Sequence, residues 1–239
     1  MEIPVTETPQ AERRRRPRGV VRDGLVAAGL ELARTGGPDA VVLREATRMV
    51  GVVPNAAYRH FADRDELLAA VCSAAMRELA DRMAAGVARV PGAYGDPGAA
   101  RQRLGAVGTA YLEFAREEPG LFATAFAVPQ QHGYDAAAGT ASGDAAGATS
   151  GGAAGTASGG AARAGADRMP LDHLRAALDE LVDAGVLSRG RRVGLEYPVW
   201  STVHGLAVLA GAGPLRGVPA AARDHLEQLT LAFIEQSLH

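Results

Sequence analysis

Apolar residues recur at the helical spacing of i, i+3, i+4 and i+7 in almost every patterned segment of the chain, and no alternating run marks a strand. The fold class this predicts is all-α. A first helix spans about Val20 to Thr35, with Val21, Leu25, Ala28 and Leu32 on its inward stripe, and ends at the Gly36-Gly37-Pro38 breaker. Two short helices follow, near Leu43 to Val50 and Pro54 to Phe61. A long fourth helix opens at Asp63, where Asp63 and Glu66 have the spacing of a capping box, and runs to about Val90 before Pro91-Gly92. Further helices are expected at about Pro97 to Glu118, Pro119 to Val128, Pro170 to Ala184, Glu196 to Ala210 and Pro219 to Ser237. Four of these five carry proline at or near the first turn, where its missing N–H costs little.

The segment from Asp135 to Ala166 breaks this pattern. Of its residues 14 are Ala, 9 Gly and 6 Ser or Thr, so it holds nothing large enough to enter a core and is expected to be a disordered tether spanning roughly 30 Å. Three parts result: a basic arm over 1–19, a small helical unit over 20–71, and a helical bundle over 72–239 interrupted by the tether.

The two short helices are joined tightly at Gly51, which suits the left-handed turn of a helix-turn-helix. Small residues Ala46 and Thr47 permit close crossing, and Val50, Val52, Ala57 and Phe61 supply a shared core. The face left over carries Pro54, Asn55, Ala56, Arg59 and His60. Asparagine can pair bidentately with adenine, alanine and proline can touch a thymine methyl, and arginine can take guanine or phosphate. Tyr58 and His60 can donate to phosphates, and Arg64 stands at a helix N-terminus that itself favours an anion.

Charge changes the picture further. The whole chain carries −2, yet Arg13 to Arg64 holds 11 Arg against 5 acids, a local balance of +6 facing an acidic body. All 25 cationic residues are arginine, which fits GC-rich coding as well as function. The run Arg13-Arg14-Arg15-Arg16-Pro17-Arg18 can follow phosphates or enter a minor groove; a solubilising tail is the competing reading.

Gly51-Val52, Tyr58-Arg59-His60-Phe61 and Asp63-Arg64-Asp65-Glu66-Leu67-Leu68 together resemble the TetR-family signature over about Val20 to Val71. The resemblance implies base contacts from Pro54, Asn55, Ala56 and Arg44, and phosphate contacts from Tyr58, Arg59, His60 and Arg64. Val42 and Val53 depart from it: the family often has Ser or Thr at these two N-caps, and valine neither caps nor offers a hydroxyl to phosphate.

Tyr111-Leu112-Glu113-Phe114-Ala115, Glu118-Pro119-Gly120-Leu121-Phe122 and Trp200-Ser201-Thr202-Val203-His204-Gly205-Leu206 resemble the Trp-His-Gly type of TetR-family C-terminal domain. That resemblance implies a small-molecule effector held inside the bundle and a homodimer formed through about 196–210 and 219–237. The stripes Trp200, Val203, Ala207, Ala210 and Ala222, Leu226, Leu229, Phe233, Leu238 are the candidate contacts. Tyr111, Phe114, Phe122, Phe126, Leu174, Leu178, Tyr197, Trp200 and His204 are the candidate effector-pocket residues, with ordinary core packing the competing reading for each. For His204, pocket, interface and core all remain open.

The chemistry of an enzyme is thin here. Six histidines show no paired metal spacing, Cys72 has no nearby base and reads as a small buried residue, and no phosphate-binding loop, dinucleotide fingerprint or nucleophile elbow occurs. No cofactor, metal or membrane partner is expected, and without a signal or spanning segment the expected location is the cytoplasm. The function expected is therefore a repressor that binds a palindromic DNA operator as a homodimer and is released by a small molecule. A ligand-independent dimeric DNA-binding protein or an activator is the alternative.

Overall fold

The computed structural model describes residues 18–128 and 168–238. The expected tether at 135–166 and most of the basic arm lie outside these residues. Among the described residues there are ten α-helices and no strand. In chain order they are α1 (Arg18–Gly36), α2 (Leu43–Val50), α3 (Pro54–Ala57), α4 (Arg64–Ala88), α5 (Pro97–Glu117), α6 (Pro119–Ala125), α7 (Pro170–Asp183), α8 (Arg189–Arg192), α9 (Glu196–Gly211) and α10 (Ala220–Gln236). A 3-10 turn, Pro38–Ala40, links α1 to α2.

Local chemistry sets the helix starts. Asp63 caps α4, its Oδ1 accepting the Glu66 N–H at 2.8 Å, while Glu66 Oε2 accepts the Ala62 N–H at 2.6 Å. Asp96 accepts the Ala99 N–H at 2.7 Å to cap α5. These bonds satisfy donors that a helix leaves unpaired at its N-terminus. Val42 and Val53 make no side-chain cap at the starts of α2 and α3, as their apolar side chains require.

Three elements differ from the sequence expectation. Helix α3 ends at Ala57 and not near Phe61: the His60 N–H tightens the chain into an i to i−3 bond on the Ala57 carbonyl at 2.8 Å, which the Phe61 N–H shares at 3.0 Å. Helix α6 stops at Ala125, short of Val128. The short α8 lies in a stretch whose Arg-Gly-Arg-Arg sequence has no apolar period to announce it.

Helix α4 is the spine. Leu67, Val71, Met76, Leu79 and Met83 are all buried along it, so one continuous core joins the α1–α3 unit to the bundle of α5, α7, α9 and α10. Cys72 belongs to that core, and burial pushes its thiol up from the ordinary range. The two parts are also clasped by charge. Arg34, near the end of α1, lies 2.9 Å from Glu78 on α4 and 2.7 Å from Glu118 at the N-cap of α6. Glu118 is shared with Arg82 of α4 at 3.3 Å. These side chains are partly sheltered, so the network is screened less than an isolated surface pair.

Candidate nucleic-acid interface and interior cavity

The α2–α3 pair is held by residues that leave no room for larger ones. Ala46 is fully buried, Thr47 bonds back to the Arg44 carbonyl at 2.6 Å, and Gly51 takes the left-handed conformation (φ 71°) that turns the chain. The Val52 N–H then reaches the Thr47 carbonyl at 3.1 Å. Buried Ala57 and Phe61 fix the rotation of α3 and the turn after it, which leaves Pro54, Asn55, Tyr58 and Arg59 exposed and Ala56 and His60 half-buried. Arg44 is exposed on α2. The eight residues picked from the sequence for DNA thus all keep some solvent access.

Arg64 stands apart from them in one respect. Its Nη2 donates to the Pro38 carbonyl at 2.7 Å, so its guanidinium ties the 3-10 turn to the start of α4. Arg22, which the sequence reading omitted, lies over the Phe61 ring with its guanidinium carbon 5.2 Å from the ring centroid. Its place in the first part of α1, whose opening turn contains no acid, is the signal that could have drawn attention to it.

The bundle encloses a cavity of about 320 Å³ between α4, α5, α7, α9 and α10. Its wall is mostly apolar, with Arg101, Gln228 and Glu235 as the polar exceptions. Of the nine residues expected at a pocket, Tyr111, Leu174 and Trp200 line it. Phe122, Phe126 and His204 form an aromatic cluster against Tyr111 and Trp200. Ring centroids are 5.6 Å apart for Tyr111 and Phe122, 5.0 Å for Tyr111 and Trp200, and 4.7 Å for Phe126 and His204. Phe114 sits further along α5, fully buried, beneath the Arg82 guanidinium of α4 at 5.3 Å. Leu178 is fully buried one turn beyond Leu174, and Tyr197 meets Arg175 at 3.4 Å; neither lines the cavity.

Helix α10 and the turn after it supply lining that the sequence reading did not place at the pocket: Leu231, Ile234 and Leu238 face inward. The expected interface stripes are correspondingly rearranged. Val203, Ala207 and Leu238 are buried within the chain's own core, and the apolar side chains left outside are Val208 and Leu209 on α9 and Leu229 and Phe233 on α10.

Residues 25–71 match the family model described as bacterial regulatory proteins, tetR family, and residues 104–233 match a tetracyclin repressor-like C-terminal domain. The chain belongs to the TetR family. Among solved structures, a protein of unknown function from Rhodococcus sp. RHA1 shares 23% identity, with 96% of this chain and 99% of that chain covered at a TM-score of 0.63. A putative tetR family transcription regulator from Shewanella sp. PV-4 shares 15% identity, with 91% and 97% covered at 0.54. The putative regulatory protein SCO4313 shares 19% identity, with 91% and 96% covered at 0.53. No curated protein matches the sequence. This TetR-family chain is thus a DNA-binding regulator with an N-terminal helix-turn-helix and a helical C-terminal domain. Among the described residues no helix is long and apolar enough to cross a membrane.

In this TetR-family bundle the Tyr111 hydroxyl lies 2.7 Å from His204 Nδ1. Burial raises the Tyr111 phenol well above its ordinary value and lowers His204 below its own, so both groups are held neutral. A histidine whose folded pKa is depressed stabilises the fold least in acid: as pH falls through its ordinary value near 6.5, the unfolded chain takes up the proton first. Melting temperature should therefore fall between pH 7.5 and 5.5, and it should fall less in His204→Gln, which keeps a partner for Tyr111. An equal acid loss in both proteins would assign the effect to other groups, His173 among them, which burial also lowers.

Proposed function

We propose that this regulator binds a palindromic operator as a homodimer, represses transcription there, and is released when a small molecule enters the α4–α5–α7–α9–α10 cavity. Residues 20–71 form the DNA-binding unit, and residues 72–239 the sensing and dimerising one. Pro54, Asn55, Ala56 and Arg44 read base edges; Tyr58, Arg59, His60 and Arg22 position the phosphate backbone. Arg64 adds a phosphate contact while holding the Pro38 carbonyl. The observation that carries this reading is the exposed Pro54-Asn55 edge of α3, held outward by buried Ala57 and Phe61 behind a left-handed Gly51. The effector that suits the cavity has an apolar body and a few polar groups, matching a wall of side chains such as Leu104, Leu174 and Val203 with Arg101, Gln228 and Glu235 among them.

The test is titration of the full chain on its operator and on a scrambled duplex at two salt concentrations. Log affinity should fall steeply with log salt on both. Asn55→Ala should cost on the order of 1–3 kcal/mol on the operator and little on the scrambled duplex. Tyr58→Phe should weaken both alike. Equal weakening of the two duplexes by Asn55→Ala would move the reading face elsewhere. Val53→Ser supplies the missing cap of α3 and should tighten both kinds of binding by up to about 1 kcal/mol.

A further inference from the structure

A second cavity, of about 210 Å³, lies where the C-terminal half of α5 and Pro119 of α6 meet α9 and α10. Its floor is apolar: Leu112, Ala115, Leu206 and Ala207 are all buried. Around that floor stand Arg116, Arg216, Arg223 and Glu227.

The three arginines are not equally engaged. Arg116 lies 3.3 Å from Glu227 and 3.6 Å from Asp224, so its charge is answered within the chain. Arg216 makes no ion pair among the described residues. Arg223 donates from Nη2 to the Val218 carbonyl at 3.4 Å, but its Nε–H is buried with no hydrogen-bond partner among the described residues. A buried donor of a charged group left unpaired carries its desolvation penalty uncompensated, and folded proteins rarely keep one. Glu227 accepts no hydrogen bond from that N–H, although the two charges attract: burial holds the carboxyl above its ordinary range, Arg116 pulls it down, Asp224 pushes it up, and Arg223 pulls it down again. Two guanidiniums, one with an idle buried N–H, therefore face a small apolar floor.

We propose that this cavity binds a small organic monocarboxylate. Its oxygens take the Arg223 and Arg216 guanidiniums, and its short apolar body lies on Leu112, Leu206 and Ala207. A planar guanidinium matches a planar carboxylate, and the charge left over after the Arg116 pairs suits a monoanion. A phosphate would satisfy the arginines but leave the floor against water or against its own charge. The volume, roughly seven times the share of one water in the liquid, accommodates a short aliphatic acid. This site is separate from the cavity assigned to the effector, and its failure would leave that assignment standing.

Calorimetric titration of the full chain with hexanoate, hexanamide and inorganic phosphate tests it. Hexanoate should bind at one site per chain, with hexanamide and phosphate weaker by about tenfold or more. Arg223→Gln should weaken hexanoate by about tenfold or more in a chain that still folds, as circular dichroism would show, although it also loses the Nη2 bond to the Val218 carbonyl. Arg216→Gln, at an exposed position that tolerates substitution, gives the same reading independently. Leu104→Trp, which fills the other cavity, should leave hexanoate affinity unchanged. Equal binding of hexanoate and hexanamide, phosphate as good as hexanoate, wild-type affinity in both arginine variants, or loss of binding in a folded Leu104→Trp would each overturn the proposal.

Discussion

Gly120→Ala should lower the melting temperature of the chain by roughly 2–12 °C, taking about 1–3 kcal/mol for overpacking and 2–4 °C per kcal/mol at this size. A methyl group at Gly120 would fall on the Ala33 carbonyl oxygen and lie 2.6 Å from the Arg34 carbonyl oxygen. Both atoms are backbone at the C-terminal end of α1, so neither can rotate away as a side chain would. Helix α6 must then move off α1, and the contact between Arg34 and Glu118, now 2.7 Å, lengthens with it. Ordinary helix propensity points the other way, since alanine is favoured over glycine inside a helix by up to about 1 kcal/mol. Gly105→Ala is the control: Gly105 lies in α5 with nothing within 4 Å of an added methyl, and its variant should be slightly more stable. A Gly120→Ala protein as stable as the parent would mean that α1 and α6 do not approach this closely. The same variant should disturb operator binding, because α6 joins the DNA-binding unit to the aromatic cluster of Phe122, Phe126, Tyr111 and Trp200 beside the cavity.

What was legible in the sequence is what local chemistry encodes. Helix α2 was read to the residue, because a breaker precedes it and Gly51 closes it with a conformation that other residues avoid. The capping pair at the start of α4 was equally local. Which faces meet inside the bundle was not legible, because an apolar stripe does not name its partner. Helix α10 has two such faces. The Leu226-Leu229-Phe233 side, to which Leu238 was also assigned, was the more conspicuous, while Leu231 and Ile234, displaced around the same helix, and Leu238 just beyond its end are the ones that reach the cavity. Tyr111 and Phe114 are likewise close on α5, yet the first lines the cavity and the second packs toward α4. Arg64 read as a phosphate ligand from its place beside a helix start; its bond to Pro38 depends on a contact across 26 residues, which spacing alone does not reveal. Arg223 gave no signal at all, since an unpaired Nε exists only once α9, α10 and α5 have closed around it.

Pairing Leu229→Asp with Phe233→Asp should convert the protein to a monomer and weaken operator binding by about a hundredfold or more. Both side chains stand outside the chain's own core, 52% and 62% exposed one turn apart on α10, with Val208 and Leu209 each 43% exposed on α9. Four large apolar side chains on two adjacent helices form the kind of face that a second copy of the chain covers with the same face of its own. Burying a leucine or phenylalanine contributes about 1.5–3 kcal/mol, and a two-fold interface uses each position twice. The double variant removes four such contributions and would place unpaired carboxylates in the contact, so the dimer loses far more than its members can recover. The folded protomer loses little, because neither side chain fills its core; circular dichroism and the melting curve should stay near those of the parent. DNA binding suffers for a geometric reason. A dimer presents its second helix-turn-helix to the second half-site at a high effective concentration, an advantage of about 10²–10⁴ that separate protomers lack. Sedimentation equilibrium and operator titration of the same preparation decide the matter. A double variant that still sediments as a dimer would place the interface on another face, and a monomer that kept full operator affinity would show that each helix-turn-helix binds its half-site unaided.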